Sequence, residues 1–381
     1  MKISIFCAAC AALLGLQAAA ETVVDVDKAG AEKLAISVDV TDPVFKKTLT
    51  RNLTLSGAFK VMPNAPIEVT GATGASIVAK GRGKKLAFPT RPGDERARRM
   101  QARELSDRLC EIYAGMKGFA SAPIAFVNKN GKAGELCTGY ADGSDVRRLT
   151  RDGKASVGPR WKDARTLFYT GYLNEMPQIF EIDAQTGARK LRWSFRGLTT
   201  GAAVSPDAQA VSLVLSVHGN PELYVIDPTS STWRRLTKTP KASEGQPAWS
   251  PDGKKIVYVS DETRRQHLYI VDVASKATRR ITSQGTQNVD PDWGADGRIA
   301  YVSKRAGGRQ IAVMDPSAGD RSARLVTKPG NWEHPTWARD GRHLAAESDG
   351  VLYLIDTEEG GDAPRQLFKI AGRAITPSWS K

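Results

Sequence analysis

PAWSPDG (247–253) recurs as PDWGADG (291–297) and PTWARDG (335–341), with looser copies in GPRWKDA (158–164), AAVSPDA (202–208) and the terminal PSWSK (377–381). The central residues are Trp161, Val204, Trp249, Trp293, Trp337 and Trp379, separated by 43, 45, 44, 44 and 42 positions. A fixed period of this length marks a repeat architecture, in which each unit hides its apolar face only by stacking on a neighbour. The three clearest copies lead through Asp-Gly into an apolar run, such as KIVYVS (255–260) or RIAYVS (298–303). Two apolar runs joined by Asp-Gly predict a hairpin. A third run ends in Asp, as in LYIVD (268–272) and IAVMD (311–315), and a short fourth follows, as in RRIT (279–282). Four antiparallel strands in one period make a blade of a β-propeller.

The two ends of the array complement each other. Residues 124–150 supply strands two to four of a blade without a first strand, and PSWSK supplies a first strand with nothing after it. Joined, they give a sixth blade, which closes the ring and removes two exposed sheet edges. The fold expected is a small α/β N-terminal domain followed by a six-bladed propeller over 122–381. In it the Trp residues pack between blades. The strand-ending Asp183, Asp227, Asp272, Asp315 and Asp356 accept backbone N–H groups in the next turn.

The chain opens MKISIFCAACAALLGLQAAA. One Lys, a short apolar run and Ala18-Ala19-Ala20 form a secretory signal over 1–20, cleaved after Ala20. The run is too short to span a bilayer, so an exported protein that does not span the membrane is expected. Cys110 and Cys137 are the cysteines that remain after cleavage; an oxidising compartment permits a disulfide, and two buried thiols are the other reading. Basic residues outnumber acidic ones by 55 to 41. Pairs such as Arg147-Arg148, Arg234-Arg235 and Arg279-Arg280 lie beside fourth strands, where charge blocks edge-to-edge aggregation. Spread around a rim in this way they argue against a nucleic-acid patch.

Residues 21–121 lack the repeat. LAISVDV (34–40) reads as a strand, and Asp42-Pro43 reads as the cap and first position of a helix ending at Gly57. Strands are expected near 59–62, 75–80 and 85–90. A long amphipathic helix covers 94–115, with Leu105, Leu109 and Ile112 on one face. Ahead of this domain, Glu21, Thr22, Val23, Val24, Asp25, Val26 and Asp27 form an extended run, which either adds a strand to a partner's sheet or tucks as a strand against its own domain.

In its order of parts the chain resembles the TolB family of the Tol-Pal system. The likeness rests on the Leu53-to-Phe59 helix ending, Lys117-Gly118 leading into IAFV (124–127), PAWSPDG (247–253), GTQNVDPDW (285–293) and the closing PSWS. It implies a non-catalytic periplasmic adaptor without a cofactor or metal. It implies binding of the lipoprotein Pal at one propeller mouth and of TolA through the arm 21–27, in support of outer-membrane integrity and cell division. The loops leading into the first strands then supply the Pal contacts: Gly201, Glu244, Gly245, Gln246, Asn288, Asp290, Glu333 and His334. The second repeat departs from the family, since LTTGAAV (198–204) carries no histidine. Two other readings remain. One is a propeller enzyme of lyase or lactonase type, for which His334 with Glu333 and Asp290 is the acid–base grouping. The other is a binding module for peptidoglycan or sugar fragments, with Trp332 as its aromatic platform.

Overall fold

The structure, a computed structural model, describes residues 32–131, 133–229, 232–358 and 363–381. The signal segment and the arm Glu21–Asp27 lie outside the described residues. Asp42 accepts the Phe45 N–H at 2.9 Å and starts helix α1 (Pro43–Leu55), with Pro at its first turn as expected. Helix α2 (Glu95–Leu109) is capped by Asp94, continues through one wide π turn and stops at Gly115, whose φ is +65°. Both helices bury Phe45, Leu49, Leu105 and Leu109 against Ile36, Ile67 and Ile77 of a five-stranded mixed sheet. One strand of that sheet, Ile67–Gly71, was not anticipated. Only its alternation of buried Ile67 and Val69 marks it, over too few residues to stand out between Pro63 and Gly71.

Six four-stranded sheets follow. Blades one to five span 156–193, 199–235, 244–280, 287–325 and 332–366. Blade six joins Arg373–Trp379 to Ile124–Asn130, Ala133–Gly139 and Arg147–Arg148, with Trp379 opposite Ile124 and Ser378 opposite Ala125. The closure expected from the two chain ends is therefore present.

Three of the motif Trp residues bind blade to blade. The Trp249 indole N–H donates to the Ala203 carbonyl at 3.0 Å, and that of Trp337 donates to the Asp292 carbonyl at 3.2 Å. Each acceptor stands one residue before the motif centre of the preceding blade. Trp161 makes the same bond across the seam of the ring, to the Ser378 carbonyl at 3.0 Å. The strand-ending aspartates take turn N–H groups, as Asp183 does from Gln185 and Thr186 and Asp272 does from Ala274 and Ser275.

The N-terminal domain seats on the face formed by the turns after the first and third strands of blades five and six. Arg103, fully buried on α2, donates to Asp142 at 2.8 Å and to Asp145 at 2.8 Å, and lies 3.8 Å from the Tyr140 ring centre. Arg339 of blade five donates to Asp107 and to the Gly118 carbonyl. The opposite face, where the first strands begin, is left clear of this domain. Cys110 and Cys137 are free thiols, one in the α/β core and one in the blade-six core, so the disulfide reading is not realised. Burial pushes the first up to about 12 and the second up to about 11.

Candidate functional site at the propeller mouth

Every first strand carries the same irregularity, three and two residues before the motif centre. In blade three, Gly245 pairs with Val259 and Ala248 with Val257, so Gln246 and Pro247 together face Tyr258. Two residues opposite one is a β-bulge. It recurs at Gly158-Pro159, Gly201-Ala202, Asp290-Pro291, His334-Pro335 and Thr376-Pro377. Proline is tolerated there because the bulge asks no ladder hydrogen bond of it. The first residue of the bulge is left-handed in all six blades: φ is +57° at Gly158, +69° at Gly201, +52° at Gln246, +53° at Asp290, +51° at His334 and +48° at Thr376. Glycine adopts this conformation freely, whereas other residues strain by roughly 1 kcal/mol or more, and a β-branched Thr is the least suited of all.

The four side chains that bear this strain lie on consecutive blades, three to six. Gln246 and Asp290 exchange two bonds: the Gln246 amide donates to the Asp290 carboxylate, and the Asp290 N–H donates to Gln246 Oε1 at 2.9 Å. The same carboxylate accepts the His334 N–H at 3.2 Å. The His334 ring stands between two carboxylates, with Nε2 3.8 Å from Asp290 and Nδ1 3.6 Å from Glu347 Oε2. Burial disfavours the charged imidazole, but Asp290 and Glu347 outweigh it and hold its pKa above the usual histidine value. Glu333 pairs with Arg309, and Glu347 lies 3.6 Å from Arg373. Ligand atoms of Glu333, His334 and Glu347 lie within 4.8 Å of one another, a spacing compatible with a divalent cation.

Of the expected rim, Gly201, Gly245, Gln246, Asp290, Glu333 and His334 stand at the bulges or directly before them. Glu244 and Asn288 do not reach the rim and are buried. They occupy the position five before the motif centre, which braces the loop from the preceding blade. Glu244 accepts from Thr239 at 2.6 Å and from Ser260 at 3.3 Å; Asn288 donates to the Gln284 carbonyl at 2.8 Å. Trp332 occupies the same position, is buried, and donates to the Lys328 carbonyl at 3.0 Å, so it offers no platform for a sugar. The sequence reading missed Gly158 and Thr376, which the motif spacing marks as plainly as Gln246. It also missed Glu347, which reaches the site from a second strand and carries no signal of its own.

Residues 110–381 match the family described as the TolB beta propeller domain. A Tol-Pal system protein TolB of Gluconobacter oxydans is 32% identical over 290 residues, and one of Chromobacterium violaceum is 27% identical over 226. These matches cover 72% and 49% of this chain, and the chain spans 64% and 53% of the lengths of those two relatives. The crystal structure of TolB from Acinetobacter baumannii superposes with a TM-score of 0.80 at 22% identity, covering 93% of this chain and 98% of that one. The propeller with its bulge-lined channel, the closing C-terminal strand and the family match agree: this chain belongs to the TolB β-propeller family.

Proposed function

We propose that this protein is a non-catalytic periplasmic adaptor of the Tol-Pal envelope system. It is exported by the signal 1–20, binds a Pal-like peptidoglycan-associated lipoprotein at the bulge-lined mouth, and engages a TolA-like inner-membrane protein through the arm 21–27. In this way it supports outer-membrane integrity and cell division. The observation that carries the reading is the strain at Gln246, Asp290, His334 and Thr376. Backbone strain of this kind is kept where the side chains are needed, and here Gln246, Asp290 and His334 are joined by hydrogen bonds on the face away from the N-terminal domain. An arc of the rim already held by such bonds loses little entropy when a folded partner docks on it. The names of the relatives support the Tol-Pal assignment, and no helix among the described residues is long and apolar enough to cross a membrane.

The test is affinity capture from an envelope extract with the wild type and with Gln246→Arg plus Asp290→Arg. The wild type retains one lipoprotein band and the double variant loses it. Equal retention by both removes the mouth from the binding surface.

A further inference from the structure

Arg160 is a charged group of the channel without an ion pair among the described residues. Around it, Asp290 is matched by Gln246 and His334, Glu333 by Arg309, Glu347 by Arg373, and Lys381 by Asp292. Among the described residues the Arg160 guanidinium has a single hydrogen bond, to the Pro159 carbonyl at 3.3 Å, and no ion pair. It is half-buried and stands near enough to His334 to oppose its positive charge. The cavity of about 370 Å³ that it also lines extends away from the mouth, between the motif centres and the turns after the first strands. At the equivalent position the other five blades place Ala203, Ala248, Asp292, Thr336 and Ser378, all shorter and all buried.

The ring of side chains is also interrupted on this side. Blades one and two carry Gly158 and Gly201 at the bulge; a Cβ at Gly201 would meet Val214 at 3.1 Å and Pro247 at 3.3 Å, whereas one at Gly158 would meet nothing within 4 Å, so the open space lies at Gly158. The gap and the unpaired cation belong together: Arg160 follows Gly158 by two residues, roughly 7 Å further along the strand. The guanidinium bends back to the carbonyl of Pro159, the residue next to Gly158, and so lies nearer the gap than its own Cα. A guanidinium already partly withdrawn from water gains most from a carboxylate that can take its paired N–H donors.

We infer that Arg160 is the receptor for an acidic side chain, Asp or Glu, which a docking protein inserts through the gap at Gly158. The inference rests on the adaptor reading and deepens it by naming the chemistry of the inserted group. The probe is the soluble domain of the cell's own peptidoglycan-associated lipoprotein, titrated calorimetrically into the mature chain. Arg160→Ala should weaken binding about tenfold or more, and Arg160→Lys should restore part of the loss. Gly158→Asn, which suits a left-handed backbone but fills the gap, should weaken binding without touching the cation. Unchanged melting temperatures separate a lost contact from a lost fold. Neutralising the acidic residues of the probe one at a time should reveal one whose effect vanishes in Arg160→Ala. Binding by Arg160→Ala within about twofold of wild type, or an absence of any coupled acidic residue, overturns the inference. Displacement of the probe by free acetate with the same dependence on Arg160 also overturns it, because the receptor would then serve small carboxylates. If Gln246→Arg plus Asp290→Arg abolishes binding while Arg160→Ala does not, this inference falls and the mouth reading stands. If the wild type does not bind the probe, both fall.

Discussion

Glu244 shows how a residue chosen for one role serves another. Burial is the main reason its carboxyl is raised to about 7, with Glu222 adding to the effect and the Thr239 hydroxyl opposing it. A carboxyl whose folded pKa is raised contributes its stability in full below its ordinary value near 4.5, and loses it as pH climbs from there through 7. Glu244→Gln should therefore match wild type near pH 4.5 and be more stable by about 2 kcal/mol at pH 8, as read by urea unfolding at both values. Arg103 has the opposite electrostatics. Burial alone would raise Asp142 and Asp145, but bonding to Arg103 and its neighbours holds both below the usual carboxylate range. Arg103→Ala strands these carboxylates at the domain interface and should cost about 3 kcal/mol, whereas Arg103→Lys should cost less. Chemical unfolding followed separately in the two domains would show the transitions moving apart.

At the scale of elements, the bulges and their linker glycine matter most. The Pro of the repeat motif proves to be the second residue of a bulge, and the residue before it becomes the lining of the channel. The linker depends on Gly118, where a Cβ would lie 2.3 Å from the Asp107 backbone and side chain. Asp107 itself holds the linker by accepting the N–H groups of Ala120 and Ser121 at 2.7 and 3.0 Å. Gly118→Ala should consequently lower the melting temperature by roughly 5 °C or more. Gly115→Ala, at a left-handed position with nothing within 4 Å, should lower it less. The periodic elements were legible because burial imposes a period on them. Strand Ile67–Gly71 was not, since a short strand is settled by the neighbours it pairs with, here Leu34–Val40 and Ser76–Gly81.

For the whole molecule, the ring is held shut by its last seven-residue strand, Arg373–Trp379, and by the Trp161 bond to Ser378. Removing residues 377–381 deletes Trp379, which is buried in the blade-six core and donates to the Ala122 carbonyl at 3.2 Å. It also unpairs the Ile124–Ala125 end of the neighbouring strand. The truncated chain should melt at least about 10 °C lower and aggregate on heating, as light scattering during a thermal scan would show. A melting temperature unchanged by this truncation would contradict the closed ring. Seating of the N-terminal domain on blades five and six leaves the bulge-lined mouth open, so a partner can reach it without displacing that domain.

The sequence alone determined the number of blades, the closure by the two chain ends, the caps of α1 and the Asx turns, because each follows from local pattern or period. It also placed Gln246, Asp290 and His334 at the mouth, through their fixed distance from the Trp positions. Only the tertiary structure decided that Glu244, Asn288 and Trp332 turn inward, that the cysteines lie in separate cores, and that Glu347 and Arg160 face the same channel as His334. Those outcomes depend on which loop folds over a strand and which blade stands opposite. Such relations join residues far apart in the chain, and no local pattern encodes them.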